Sequence, residues 1–400
     1  MMFKKYPSYI TQSKNYVNYC IQSINMSYPN FSNDQKKVLV NILRSKHKLS
    51  DYKKHEILEN KQLQPEIVRI TNVKFKIFVF FKLLIHKLFF ILNKKRNDKV
   101  VVLRCWVEDC LQLFKSEIDK NTLFLVFPFT LSFLRQFRFL KYLIKNNHDF
   151  SFCGYDYSFK EYFTWVISSK DLDLAIFEIN ASKRLATTLL KKYKFQRLFT
   201  TDEFEENAFV WHQKLINEGR ITINKAHGSG CYSPFINYTK FYAIHQNQID
   251  YYSLNNKSIT YKLMDLKENS FDEDLKIKNI IFFSQLTSKK CDFLIESENQ
   301  VLNVLKELKK VQIFIKLHPN ARRYKKEYLN NFSYITDLPK DIENTLNLSL
   351  YSTTYYTFQD IGPSYFIETS KNKPKLMYGS KIRVIKLENL LSFINEKYLF

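Results

Sequence analysis

From about residue 120 onward, short β-rich apolar runs alternate with helix-length amphipathic stretches, and this alternation constrains the fold more than any other feature. A strand that is apolar on both faces must be covered on both, so the repetition points to parallel sheets flanked by helices. The first series has expected strands at 123–127, 149–153, 172–177, 195–199, 221–224 and 241–244, with helices near 131–146, 158–168, 182–193 and 204–218. Residues 252–276 are polar and show no clean period, which marks a junction. A second series follows, with strands at 279–283, 311–315, 334–336, 346–350, 364–367 and 375–377 and helices near 297–309 and 388–396. The expected architecture is α/β, with two Rossmann-like domains over 120–255 and 277–400 facing a cleft. A junction at 256–276 joins them, and a basic, mostly helical region over 1–119 precedes them.

The length of 400 residues suits two such domains, because single cores stop growing near ~250–300 residues. Hydrophobic content of 45%, with 16% aromatics, excludes disordered and fibrous classes. The formal charge of +23 favours an anionic partner, yet it is unevenly spread. Residues 1–100 hold 20 Lys/Arg against 6 Asp/Glu, a surplus of 14. Lys and Tyr interleave in residues 1–20, but no helix-turn-helix, zinc or RRM signature accompanies them, so nucleic acid is not an expected partner. The six cysteines are scattered singly, which argues against a disulfide framework or structural zinc and fits a reducing cytosol. The first residues, from Met1 to Pro7, lack the apolar core of a signal peptide.

Residues 77–92 form an apolar run of sixteen residues, short of the ~20 that a spanning helix needs. Lys82, His86 and Asn93 fall near one face of a helix here, leaving a wide greasy side. Two readings stand. Either the segment lies in a membrane interface with its lysines reaching the headgroups, or it is a helix buried under the first domain.

In parallel α/β folds the chemistry sits just after strands, and three places qualify. Lys225, Ala226, His227, Gly228, Ser229 and Gly230 follow the strand at 221–224 and hold two of the chain's six glycines. They read as a close backbone approach to a ligand or as a plain tight turn. Lys316, Leu317, His318 and Pro319 end a strongly apolar strand, with Arg322 and Arg323 beyond. A lysine and a histidine there can meet a phosphate as point charge and as hydrogen-bond donor. Tyr351, Ser352, Thr353 and Thr354 follow the strand at 346–350. Hydroxyl side chains where a helix opens can cap it, or bind phosphate together with its free N–H groups.

A strand ending in K-L-H-P, followed by S-T-T some 35 residues on, resembles bacterial sialyltransferases and related capsule- and lipooligosaccharide-modifying glycosyltransferases of GT-B fold. The resemblance implies that His318 contacts the donor phosphate and that Ser352 and Thr353 bind the same phosphate. It implies a nucleotide-sugar donor, best matched by CMP-linked sialic acid or a similar acidic sugar, and a surface glycan or lipid-linked glycan as acceptor. In the N-terminal half the family's paired acidic residues followed by Gly have their nearest counterpart in Asp202, Glu203 and Phe204, with Phe in place of Gly. His227 with Gly228, together with the His-Pro, is also similar to teichoic-acid glycerophosphotransferases, although the Asp-Tyr-Ser-Ser run of that group is absent.

Asp171 with Asp173, and Asp272 to Asp274, are acidic clusters of the kind that hold metal-bound sugar nucleotides. The first opens an expected strand and the second lies in the junction, so both read as solvated surface. The expected enzyme is therefore metal-independent and without a resident cofactor. Lys316, His318, Ser352, Thr353 and Thr354, with the backbone at Gly228 and Gly230, would stabilise the departing phosphate. Asp202 is the first choice for general base, ahead of Glu203 and His227. Asp156 could bind acceptor or make a turn, and His212 lies in a helical pattern as packing or surface. The +14 head with its amphipathic segment suits an anionic membrane surface, which places the expected protein on the inner face of the cytoplasmic membrane.

Overall fold

A computed structural model describes residues 17–18, 20–22, 24–25, 29–46, 72–93, 100–104, 113–119, 121–128, 133–203, 205–226, 228, 233–264, 276–284, 292–309, 311–317, 332–335, 344–350, 355, 362–370, 372–375 and 382–398. The chain divides into two compact units, Met1–Ile244 with Gln248–Met264, and His245–Asn247 with Asp265–Phe400. Each unit is built on one sheet whose strands all pair in parallel.

The first sheet has seven strands: β1 (Val100–Arg104), β2 (Thr122–Val126), β3 (Asp149–Phe152), β4 (Phe195–Thr200), β5 (Ile221–Lys225), β6 (Lys240–Ala243) and β7 (Thr260–Leu263). Their order is β3-β2-β1-β4-β5-β6-β7. The second sheet has β8 (Asn279–Phe283), β9 (Gln312–Lys316), β10 (Ser333–Ile335), β11 (Thr345–Ser349), β12 (Ser364–Glu368) and β13 (Val384–Lys386), in the order β10-β9-β8-β11-β12-β13. Both orders run outward in one direction and then reverse, which is the doubly wound Rossmann arrangement. The reversal falls between β1 and β4 in the first sheet and between β8 and β11 in the second. These gaps are where such sheets receive ligands.

Helices cover the sheets. In the first unit these are α1 (Asn33–Lys46), α2 (Val73–Leu92), α3 (Phe133–Lys145), α4 (Phe159–Ser168), α5 (Asp171–Lys192), α6 (Ala208–Asn217) and α7 (Gln246–Ser253). In the second they are α8 (Asp292–Leu305) and α9 (Leu390–Tyr398). The first core joins β2 and β4 to α2, α4 and α5 through Leu83, Leu125, Trp165, Leu185, Leu189 and Leu198. The second joins β8, β9 and β11 to α8 and α9 through Ile280, Phe282, Leu302, Ile315, Leu348 and Ile394.

Four expectations change. The run 172–177 is not a strand but the opening of α5, a helix of 22 residues without Gly or Pro. Leu174, Phe177, Ala181, Leu185 and Leu189 recur at three- and four-residue spacing along its buried face, so helical period overrides the short apolar alternation. Asp173 consequently lies in the first turn of a helix, where its charge suits the helix dipole. Within the stretch expected to be helical, Val100–Arg104 forms the interior strand β1, a run hidden by the basic stretch that precedes it. Within the expected junction, Thr260–Leu263 forms the edge strand β7, whose polar residues suit a strand paired on one side only. Of the expected strand 375–377, Lys375 is helical and the other two lie outside the described residues, while Val384–Lys386 supplies the edge strand β13.

The basic head is only partly a separate element. Val38, Leu39 and Val40 of α1 pack with Ala175, Ile179, Phe209 and Val210 of α5 and α6. Asn41 seals this contact, donating to the carbonyls of Glu206 and Phe235 at 2.8 and 3.0 Å and accepting from the Phe235 N–H at 3.2 Å.

Candidate functional site

In the second unit, parallel register aligns three strand ends. Phe283 of β8 is level with Lys316 of β9 on one side and with Ser349 of β11 on the other. Lys316 therefore stands at the carboxyl edge one strand away from the point of reversal, which β8 and β11 flank. Just beyond this row the chain runs into His318 from β9 and into Ser352, Thr353 and Thr354 from β11; these four lie outside the described residues.

The described neighbours fix the edge firmly. The Ser284 N–H donates to the Lys316 carbonyl at 3.0 Å, extending the ladder one step past β8. The Ser284 hydroxyl donates to the Glu298 carboxylate of α8 at 2.8 Å, both groups being buried. Asn372 sends its amide to the carbonyls of Leu350 and Ile367 at 3.1 and 3.0 Å, pinning the chain as it leaves β11. Beyond the hydroxyl run, the Tyr355 ring stacks on Phe366 at 4.5 Å, and its hydroxyl accepts from the Arg383 N–H at 2.9 Å. The described residues on either side of Tyr351–Thr354, Leu350 and Tyr355, are thus anchored to the sheet. Glu298 and Asn372 had no sequence signal, since both sit among polar neighbours, and only their burial in the fold obliges a partner.

In the first unit, Asp202 and Glu203 follow β4 at the corresponding reversal, and Thr200 is level with Asn224 of β5. Both acids are fully buried. The Asp202 carboxylate lies 3.0 and 3.2 Å from Nε2 of His212 on α6 and accepts from the Tyr238 hydroxyl at 3.0 Å. Its N–H donates to Oδ1 of Asn224 at 3.1 Å, and the Asn224 amide donates to Glu203 at 3.1 Å. His212, in contact with Trp211 and Tyr238, is not a surface histidine but the partner of the candidate base. Burial, and then the charges of Asp202 and Glu203, hold the Tyr238 phenol well above its ordinary range, so it stays a donor. Ala208, Trp211, His212 and Leu215 share the buried face of α6, and a histidine on such a face was the available signal.

The loop after β5 is described only in part. The Gly228 carbonyl accepts from the Gln248 amide of α7 at 2.7 Å, and Gln248 in turn accepts from the Ile244 N–H at 2.8 Å. His227 and Gly230 lie outside the described residues. Asp156, after β3, pairs with Lys87 of α2 and sits 4.0 Å from Arg184 of α5. Glu178 of α5 likewise binds Lys82 at 3.1 Å, the Tyr157 hydroxyl at 2.8 Å and the Asn207 amide at 3.0 Å. Among the described residues no three His, Cys, Asp or Glu side chains gather in a way that could hold a metal ion.

No protein-family model matches the chain, and no curated protein matches its sequence. Among solved structures, trehalose-phosphate synthase (UDP-forming) from Burkholderia vietnamiensis has 7% identity and a TM-score of 0.43 over 75% of this chain and 89% of its own. MurG from Acinetobacter baumannii has 10% identity and a TM-score of 0.39 over 74% and 89%. UDP-GlcNAc 2-epimerase from Methanocaldococcus jannaschii, solved with UDP-GlcNAc and UDP, has 9% identity and a TM-score of 0.39 over 74% and 92%. The fold itself, two all-parallel doubly wound sheets, stands on the strand order of this chain.

Proposed function

We propose that the chain is a nucleotide-sugar-dependent glycosyltransferase of GT-B type, with the donor phosphate held at the carboxyl edge of the second sheet. One observation carries this reading. The register of β9, β8 and β11 sets Lys316, the first residue of K-L-H-P, level with Phe283 and Ser349 at the carboxyl edge, one strand from the reversal, and both K-L-H-P and the S-T-T run that follows β11 in sequence resemble a donor-phosphate site. Lys316 supplies a point charge, His318 a hydrogen bond, and Ser352, Thr353 and Thr354 supply hydroxyls. The acceptor oxygen attacks the anomeric carbon while the bond from that carbon to the phosphate oxygen breaks, and the phosphate leaves with the bonding electron pair. These groups meet the developing charge, and the configuration at the sugar inverts. The donor is a substrate, and no resident cofactor takes part. A CMP-linked acidic sugar, transferred to a capsule or lipooligosaccharide glycan, is the specific form of the proposal.

The acceptor proton needs a general base. Asp202 is enclosed by His212 and Tyr238, so a proton from an acceptor would have to displace an existing partner. We assign Asp202 and Glu203 to holding the turns after β4 and β5, and His227 to proton abstraction. Asp202→Asn should then lower stability more than turnover, whereas His227→Ala should lower kcat with an unchanged melting temperature. If Asp202→Asn alone abolished transfer in a protein of normal stability, Asp202 would be the base. The donor site is tested by calorimetric binding of CMP, CDP, UMP, UDP and GDP. Losing one charge-assisted contact, as in Lys316→Ala, costs about 1.5–3 kcal/mol, or roughly ten- to hundredfold in Kd.

A further inference from the structure

Helix α2 is apolar on both sides: Val79 and Leu83 enter the core of the first unit, yet the outward face is apolar as well. Its polar side chains turn into the protein: Lys76 donates to the Val166 carbonyl at 2.8 Å and to the Ser169 hydroxyl at 2.6 Å, Lys82 binds Glu178, and Lys87 binds Asp156. His86 and Asn93 are buried on the same side, and Nδ1 of His86 accepts from the Tyr155 N–H at 3.2 Å. The opposite face carries Ile77, Phe81, Leu84, Leu88 and Ile91 at helical spacing, with Phe81 56%, Leu88 53% and Ile91 74% exposed. An ordinary surface helix turns polar residues, not apolar ones, to the outside.

The apolar face does not end with α2. Helix α4 packs alongside, its Tyr162 hydroxyl donating to the Lys76 carbonyl at 3.0 Å and its Phe159 ring 6.5 Å from Phe80. It adds exposed Phe159, Phe163 and Ile167. A contiguous apolar surface of this kind marks a docking site. Its chemistry selects the partner. Helix α2 contains no carboxylate, and Glu161, the one carboxylate of α4, is bound to Arg184 at 2.7 Å. Among the described residues the exposed charges on and next to the two helices are cations, Lys74, Lys160 and Lys170, and the sequence after α2 continues with Lys94, Lys95 and Arg96. A protein interface of useful size carries a hydrogen bond every ~100–200 Å². The outward side chains of α2 offer only apolar groups and Lys74. An anionic lipid surface needs what is present: apolar side chains to enter the acyl boundary and cations to meet phosphate headgroups.

We propose that the outward faces of α2 and α4 dock the protein on an anionic bilayer, with α2 lying in the plane of the interface and held from behind by its lysines. Because three of those lysines are spent on the protein, apolar insertion carries the attachment, and salt weakens it little. This docking is independent of the transferase reading, and its test uses neither nucleotide nor acceptor. The full-length protein should float with phosphatidylcholine–phosphatidylglycerol vesicles at low and high salt. The double variant Phe81→Glu, Leu88→Glu should bind by about tenfold less, with an unchanged melting curve because both positions face solvent. Phe163→Glu should act in the same direction through α4. Wild-type protein that fails to float, or is wholly released by salt, would overturn the proposal. So would variants that float undiminished. Light scattering that shows a wild-type dimer made monomeric by the same variants, without vesicle binding, would give the face to a second copy instead.

Discussion

Asp202 shows how one residue's surroundings redirect its chemistry. Its carboxylate is enclosed by an imidazole, a phenol and the turn after β4. Replacing His212 with Leu removes one member of a buried pair and should cost about 3–5 kcal/mol in urea unfolding. Tyr238→Phe removes one donor and should cost less, about 1–3 kcal/mol. The same phenol gives stability a pH dependence. Burial, and then Asp202 and Glu203, raise it well above the ordinary 10.0; burial and Glu178 do the same to Tyr157. For Lys82, burial pulls its affinity for a proton down, but the attraction of Glu178 and its hydrogen bond outweigh that and raise it. In each case the folded chain keeps a proton that the unfolded chain releases near pH 10. Stability from these groups is therefore complete below about pH 10 and falls as pH rises beyond it. Urea midpoints taken from about pH 8 to pH 11 should decline at the alkaline end, and Tyr238→Phe should flatten part of the decline.

At the scale of elements, most strands were legible because each is an apolar run bounded by polar or turn residues. The strands at 123–127, 195–199, 279–283 and 346–350 lie within one residue of β2, β4, β8 and β11. Val100–Arg104 escaped because a five-residue strand beside a basic run carries no periodic signal, and only the sheet shows it to be an interior strand. The opening of α5 was misread because six residues cannot distinguish alternation from helical period, whereas 22 can. Of the candidate site, the residue types after strands were legible. The partners His212, Tyr238, Glu298 and Asn372 were not, since each becomes meaningful only through contacts distant in sequence. The packing of α2 hinges on Gly154, where an added Cβ would stand 2.3 Å from the His86 carbonyl oxygen. Gly154→Ala should therefore push α2 off the loop after β3 and cost about 1–3 kcal/mol by thermal or urea unfolding. At Gly219, which ends α6 at φ 76° with open space around it, the change to Ala should cost about 1 kcal/mol.

At the scale of the molecule, the charge of +23 divides between roles. In the head, Lys76, Lys82 and Lys87 anchor α2 to the first unit rather than reaching outward, and α1 is built into the same unit. In the second unit, Lys316 stands at the carboxyl edge of the sheet, one strand from the reversal, with His318, Arg322 and Arg323 following in sequence. The central claim is that this edge binds a nucleotide phosphate, and thermal shift tests it most directly. A nucleotide that binds the folded protein at one hundred times its Kd contributes about 2.7 kcal/mol of stability. The account predicts that at least one of CMP, CDP, UMP, UDP and GDP raises the melting temperature of the wild-type protein, and that the rise disappears in Lys316→Ala and His318→Ala proteins whose unliganded melting temperature is unchanged. No rise with any of the five, or a full rise retained in both variants, would contradict it.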